Sequence, residues 1–307
     1  MLKHNSIFKL ILGIGVLFLA SCKKDAVVVV LPTFDDVVKQ QSLNMFNTAV
    51  EKANLQDFKN GGGPYTWFAP TDAAFIAAGI TTDSLNKITP SALSYLMTYH
   101  LINARYVSTD MIAISSISRT TQMGTAIFNG LYKGKYYVNG GKIATEDILV
   151  KNGVIHVSEA FLTPPQLRGN IGAILNSTGR HTLFIAALTR AGLLAQFSTA
   201  TVFTVLAPTD AAMTAAGYTM ANIATTPTTT LADFCRYQYF NNVRLFTNDF
   251  AATSSFATAL GTNKYVATSA DGTKVKGVSN LTPVNITVFN RLGTNGVVHE
   301  IDAVLRP

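Results

Sequence analysis

The sequence predicts an α+β protein built from two tandem copies of one unit, and three observations carry that prediction. The stretch YTWFAPTDAAF at 65–75 returns as FTVLAPTDAAM at 203–213, which sets Thr71 and Thr209 138 residues apart. That spacing is several times the roughly 20–50 residue period of a solenoid, so each copy is long enough to enclose its own core. Ahead of the repeated stretch, Met45, Phe46, Ala49, Val50, Ala53 and Leu55 recur at helical spacing, and Leu183, Phe184, Ala187, Leu188, Ala191 and Leu193 match them. Behind it, both copies turn strand-rich and end alike, on Asn152-Gly153-Val154-Ile155-His156 and on Asn295-Gly296-Val297-Val298-His299.

Taken in order, each element has a local reason. Tyr65, Thr66, Trp67 and Phe68 are aromatic or β-branched and favour a strand; Pro70 ends it, and Thr71 or Asp72 caps an Ala-rich helix that stops at Gly79. Phe203 to Leu206, Pro208, Thr209, Asp210 and Gly217 repeat every step. Asp72 and Asp210 therefore read as caps whose carboxylates accept backbone N–H groups, not as catalytic bases. The loop Gly61-Gly62-Gly63-Pro64 lacks the Gly-Lys-Ser/Thr that a phosphate cradle needs. A second helix is expected over 91–102 with its counterpart at 231–239; His100 in the first aligns with Gln238 in the second, so the unit itself does not require a histidine there.

Turns are expected at Asn129-Gly130, Asn139-Gly140-Gly141 and Asp271-Gly272. The closing motif reads as a hairpin, with Asn152-Gly153 and Asn295-Gly296 as turn residues of positive φ. Asn152 and Asn295 lie 143 residues apart, five more than Thr71 and Thr209, so the second copy carries a net insertion, expected near 290–294. Pro164-Pro165-Gln166 makes a short, stiff linker. The domains expected are 34–165 and 168–307, each able to fold alone.

The amino terminus has its own logic. Lys3 and Lys9 precede an apolar run from Leu10 to Ala20, too short to span a bilayer and flanked like a secretory signal. Leu19-Ala20-Ser21-Cys22 resembles the lipobox of bacterial lipoproteins, which makes 1–21 a signal peptide, Cys22 the acylated anchor and 22–33 a tether. Lys23-Lys24-Asp25 is similar to the start of surface lipoproteins of Bacteroidota type. An outer-membrane, surface-facing location follows as an expectation. With Cys22 spent, Cys235 remains alone, so no intramolecular disulfide can form, and its helical pattern with Leu231 and Phe234 reads as a buried, inert thiol.

The paired motifs APTDAAF and NGVIHV, with a Tyr-His helix between them, resemble the fasciclin domain, and both copies match over nearly their whole length. The resemblance implies two wedge-shaped, seven-stranded β-sandwiches with packed helices. It makes Pro70, Thr71, Asp72, Asn152, Gly153, His156, Pro208, Thr209, Asp210, Asn295, Gly296 and His299 fold motifs. In some animal members the Tyr-His motif is implicated in adhesion, which makes Tyr99 and His100 candidate adhesion residues; Tyr237-Gln238 departs from the motif. Glu146-Asp147-Ile148-Leu149 resembles an integrin-binding segment, a function not carried over to a chain of bacterial lipoprotein type.

Composition narrows the classes further. The net charge of +7 falls to about +5 without Lys3 and Lys9 and gathers in no arginine cluster, so nucleic acid is not implied as a partner. Only 13% of residues are charged, which leaves a Thr/Asn/Ser surface suited to hydrogen-bonding other polymers. No metal spacing or nucleophile motif occurs, and His156 and His299 sit between apolar neighbours, where a backbone carbonyl is the natural partner. No cofactor or catalytic role is expected. The expected function is adhesion or interaction with an extracellular polymer, glycan or protein; the alternative is a glycan-binding or assembly component of an outer-membrane nutrient-uptake system.

Overall fold

In the computed structural model, which describes residues 30–111 and 117–307, the first domain opens with α1 (Phe34–Gln40), α2 (Asn44–Lys52) and α3 (Gln56–Asn60). α4 (Asp72–Ala77), α5 (Thr82–Lys87) and α6 (Pro90–Thr98) follow its first strand. Thr33, Thr71, Thr81 and Thr89 cap α1, α4, α5 and α6, each hydroxyl accepting an N–H of the first turn. The strands are β1 (Tyr65–Pro70), β2 (Leu101–Ile102), β3 (Ile117–Thr120), β4 (Ala126–Tyr132), β5 (Lys135–Val138), β6 (Gly141–Val150) and β7 (Gly153–Ser158). They form one sheet in the order β2-β1-β7-β6-β5-β4-β3, with β1 and β7 parallel.

β6 bonds to β5 at its start and to β7 beyond, and its register shifts between Ile143 and Ile148 bend it. The sheet thereby folds over itself, enclosing Phe68 of β1 with Ile127, Val138 and Ile143 of β4 to β6. Because side chains alternate along a strand, Trp67 and Ala69 of β1 and Ile155 and Val157 of β7 face the other way, into the helices. There Phe34, Phe46 and Trp67 meet with ring centroids 5.6–5.8 Å apart. Each such ring contributes on the order of 1.5–3 kcal/mol by leaving water.

The second domain repeats the plan. Its helices are α7 (Ile171–Ser177), α8 (Thr182–Arg190), α9 (Asp210–Ala215), α10 (Met220–Thr225), α11 (Thr228–Arg236) and α12 (Thr247–Ala252). Its strands are β8 (Phe203–Pro208), β9 (Tyr239–Asn241), β10 (Ser255–Thr258), β11 (Gly261–Thr268), β12 (Lys274–Gly277), β13 (Val284–Gly293) and β14 (Gly296–Ile301), ordered β10-β11-β12-β13-β14-β8-β9. Cys235 is buried in this domain's helical core, where burial pushes its thiol up to about 12.

Several sequence expectations are corrected. The helix expected to run to 102 stops at Thr98, because Leu101 and Ile102 leave it to pair with Trp67 and Thr66 on the edge of β1. Asn129-Gly130 is no turn: both lie inside β4, and the reversal falls at Lys133-Gly134, with φ of 49° and 68°. The added residues of the second copy are not at 290–294, since β6 and β13 are both ten residues long. Four of the five lie at 278–283, between β12 and β13, where the first domain turns on Asn139-Gly140 alone, with φ of 50° and 77°.

The Asn-Gly pairs also do something other than turn. Val150 pairs with Gly153, so the hairpin reverses at Lys151-Asn152 and Gly153 opens β7. A Cβ on Gly153 would lie 2.0 Å from Tyr65 O, and one on Gly296 1.9 Å from Phe203 O. Glycine is required by the close parallel neighbour, not by the turn. Asn152 Nδ2 donates to the carbonyls of Phe58, Lys59 and Gly61, and Asn295 Nδ2 to those of Phe197 and Thr199, which ties each hairpin to the helical layer.

The domains touch through more than the linker. Phe128 of β4 lies 6.1 Å from Phe246 and carries the Arg244 guanidinium 4.8 Å over its ring. Asn248 of α12 approaches Gly130 so closely that a Cβ there would meet its Nδ2 at 2.3 Å. Asn290 Nδ2 donates to Gly140 O at 3.2 Å, and Tyr132 Oη donates to Ala270 O. The expected leader, the Cys22 anchor and residues 22–29 of the tether lie outside the described residues.

Candidate functional site

The motif residues resolve into three internal devices. In the first, His156 of β7 is buried, and its Nδ1 accepts the Asp147 N–H at 3.2 Å, so Nε2 carries the proton and donates to Tyr106 O at 2.9 Å. Asp147 sits in the β6 bulge at φ 58°, and its carboxylate accepts the N–H and hydroxyl of Ser108. Thr66 completes the arrangement, donating to Ala104 O at 2.6 Å and accepting from Tyr106 N at 2.8 Å. An irregular segment is thus held along its length by three side chains.

The second domain reproduces this device. His299 Nε2 donates to Leu245 O at 2.8 Å, and its Nδ1 accepts the N–H of Asn290, whose φ is 54°. Asn290 Oδ1 accepts from Thr247 N at 3.0 Å, and Thr204 bonds Val243 O and Leu245 N, both at 2.8 Å. Burial holds both histidines below their ordinary value, His299 at about 4. Each ring is therefore neutral with both nitrogens engaged.

The Pro-Thr-Asp corner is the second device, and its two polar residues divide the work. Thr71 and Thr209 cap their own helices. Asp72 reaches instead to α2, whose own cap position, Leu43, makes no side-chain bond; Asp72 Oδ1 accepts from Met45 N at 2.9 Å. Asp210 does the same for α8, accepting from Leu183 N at 2.8 Å and from the Thr182 hydroxyl. A carboxylate at a helix N-terminus also meets the positive end of its dipole. Pro70 pairs with Ser158 and Pro208 with Ile301, so corner and histidine strand are neighbours, each satisfied separately.

Tyr99 and His100, the candidate adhesion residues, form the third device, and both are fully buried. Tyr99 Oη donates to Ala126 O and accepts from Asn139 Nδ2, both at 3.0 Å. His100 Nε2 accepts from Leu162 N at 3.0 Å, so Nδ1 carries the proton and donates to Leu96 O at 3.0 Å; burial holds the ring near 4. Neither side chain presents a surface to a partner, which corrects the expectation of an adhesive Tyr-His motif: the helix turns its Tyr-His end into the sheet.

Three features escaped sequence reading. Thr66 and Thr204 stand unchanged at the same place in both copies, which was a visible signal. Asp147 and Asn290 differ, so the bulge they share left no signal. Glu300, buried in the second domain, accepts from the Arg180 guanidinium and lies 3.6 Å from His181 Nε2. Its counterpart in the first domain is Val157, so no repeat marks it. Among the described residues, no group of three or more His, Cys, Asp and Glu side chains is placed to hold a metal ion, and no helix is long and apolar enough to cross a membrane.

Comparison with known proteins follows the repeat. The fasciclin domain model matches residues 41–164 and again 179–307. The chain belongs to the fasciclin family. An uncharacterised protein of Synechocystis sp., sll1735, is 31% identical over 122 residues, covering 39% of this chain and 88% of that protein. Transforming growth factor-beta-induced protein ig-h3 of Sus scrofa is 24% identical over 267 residues, 85% of this chain but 36% of that one. Human periostin is 30% identical over 129 residues, 41% of this chain and 15% of periostin. A fasciclin domain pair from the insect cell adhesion molecule fasciclin I aligns with 89% of this chain and 96% of its own, at 15% identity and a TM-score of 0.40.

Proposed function

We propose that this fasciclin pair is a non-enzymatic, lipid-anchored protein of the cell envelope that mediates adhesion or contact with an extracellular polymer. The observation that carries the reading is the saturation of the repeated polar residues. Asp72, His156, Asp210 and His299 spend their hydrogen bonds inside the fold, which leaves them no reactive group to offer a substrate. Membership of the fasciclin family supports it. Leu19-Ala20-Ser21-Cys22 supports the anchor, since acylation at Cys22 would tether the chain to the outer membrane, facing outward. Cys22→Ser is expected to move the protein from the membrane fraction to the soluble one; continued association after a high-salt wash, with no lipid mass on the wild-type amino terminus, refutes the anchor. A second reading, a glycan-binding component of a nutrient-uptake system, is favoured by one observation: Phe289, 44% exposed, lines an open groove.

A further inference from the structure

The groove that Phe289 lines runs between the two domains and has a volume of about 420 Å³, within the roughly 300–1,000 Å³ of small-ligand sites. Its walls come from the first domain, the linker and β13, so it exists only when both domains are docked. The polar groups around it are mostly spent. Glu159 is paired with Lys142 at 3.0 Å, Asn139 bonds Phe128 N and Tyr99 Oη, and Asn290 bonds Gly140 O and Thr247.

Among the charged groups of the groove Arg168 is the exception. It follows the linker turn Pro165–Leu167, is half-buried, lines the groove, and has neither a carboxylate nor a hydrogen-bond acceptor among the described residues. Burial, and then the like charge of Arg291, hold its guanidinium below the usual arginine range. A partly desolvated cation beside a second cation, with the lining carboxylate already neutralised, is a standing demand for an anion.

We propose that this groove binds an acidic sugar residue, with Arg168 taking the carboxylate and the Phe289 ring lying against the apolar face of the pyranose. The planar guanidinium fork matches a carboxylate in two parallel hydrogen bonds. A small inorganic anion would use the guanidinium alone and leave the aromatic wall and most of the volume empty. The inference takes from the proposed function only that the partner is an extracellular polymer.

The test is calorimetric titration of the full chain with trigalacturonate, with neutral galactotriose and a sulfated heparin trisaccharide as comparisons. Trigalacturonate is expected to bind, tenfold or more weakly to Arg168→Gln and several-fold more weakly to Phe289→Ala, with affinity falling as salt rises. Galactotriose is expected not to bind, and Arg190→Ala, distant on α8, to change nothing. Should Arg168→Gln fail to fold, Arg168→Lys, which keeps the charge and loses the fork, and Phe289→Ala carry the same comparison. No binding of trigalacturonate at millimolar concentration, equal binding by Arg168→Gln, or binding of the sulfated sugar alone overturns the proposal. Adhesion of cells that persists with Arg168→Gln in place would then leave the broader reading standing while this site falls.

Discussion

His100 in the first domain and Gln238 in the second occupy one position and do one job. The imidazole accepts from Leu162 N and donates to Leu96 O; the amide accepts from Leu305 N at 3.0 Å and donates to Phe234 O at 3.2 Å, with a further donation to Leu305 O at 2.9 Å that an imidazole has no proton to make. Both span from a helix end to the segment that follows the closing strand, and both are fully buried. The position demands one acceptor and one donor at a fixed separation, and chemistry beyond that is free to vary. A residue chosen for a ligand would not be exchangeable in this way.

The comparison sharpens where the domains differ in kind. At the position of Val157 the second domain carries Glu300, with Arg180 and His181 around it. A buried carboxylate in place of a valine costs desolvation that its partners only offset. The domains therefore share their backbone-holding devices, His156 with His299 and Asp72 with Asp210, but not the composition of the helical core.

The largest expected effect falls on the feature the domains share most closely. Gly153→Ala and Gly296→Ala each drive a Cβ into a strand carbonyl at about 2 Å, with no flexible side chain to move aside. Each is expected to destabilise its own domain by about 3 kcal/mol or more, read as loss of the corresponding thermal transition. Unequal outcomes for the two would break the equivalence of the domains at their parallel β1–β7 and β8–β14 seams.

Next come the histidines. His156→Ala leaves Tyr106 O and the Asp147 N–H without partners, and His299→Ala does the same to Leu245 O and the Asn290 N–H. At roughly 1–3 kcal/mol per buried orphan, losses of about 2–6 kcal/mol are expected in chemical denaturation of either variant. Asn290 also bonds Gly140 across the domain boundary, so His299→Ala should loosen both domains and His156→Ala mainly one. A purely local effect of His299→Ala would show that the boundary is not coupled through the bulge.

What the sequence made legible was whatever the repeat stated twice. The order of helix, strand, Thr-Asp corner, strands and closing hairpin could be read because apolar periodicity and turn chemistry recur 138 residues later. The Asn-Gly pair misled because its glycine answers to Tyr65 O on a neighbouring strand, a long-range contact that mimics a local turn signal. Asn129-Gly130 misled for a related reason: the missing Cβ makes room for Asn248 of the other domain. The contact between the domains, Arg168 and Glu300 occur once each, and a single occurrence carries no internal reference against which to notice it.

The smallest expected effect at neutral pH is also the most diagnostic. If His100 and Gln238 meet the same demand, His100→Gln should change stability at pH 7 by less than about 1 kcal/mol, whereas His100→Ala leaves two buried backbone groups unpaired. Lower pH separates histidine from glutamine. His100 is held near 4 in the folded chain against an ordinary value of 6.5, so above pH 6.5 neither state binds the proton and stability is undiminished. Between those values the unfolded chain takes up a proton that the folded chain refuses, and stability falls by about 1.4 kcal/mol per unit as pH drops, levelling off below about 4. Glutamine has no such proton. The variant should therefore match the wild type at pH 7 and exceed it by about 2 kcal/mol at pH 5 in matched denaturant titrations. Parallel pH profiles for the two chains would mean that His100 stays protonatable in the fold, and that its likeness to Gln238 is one of shape alone.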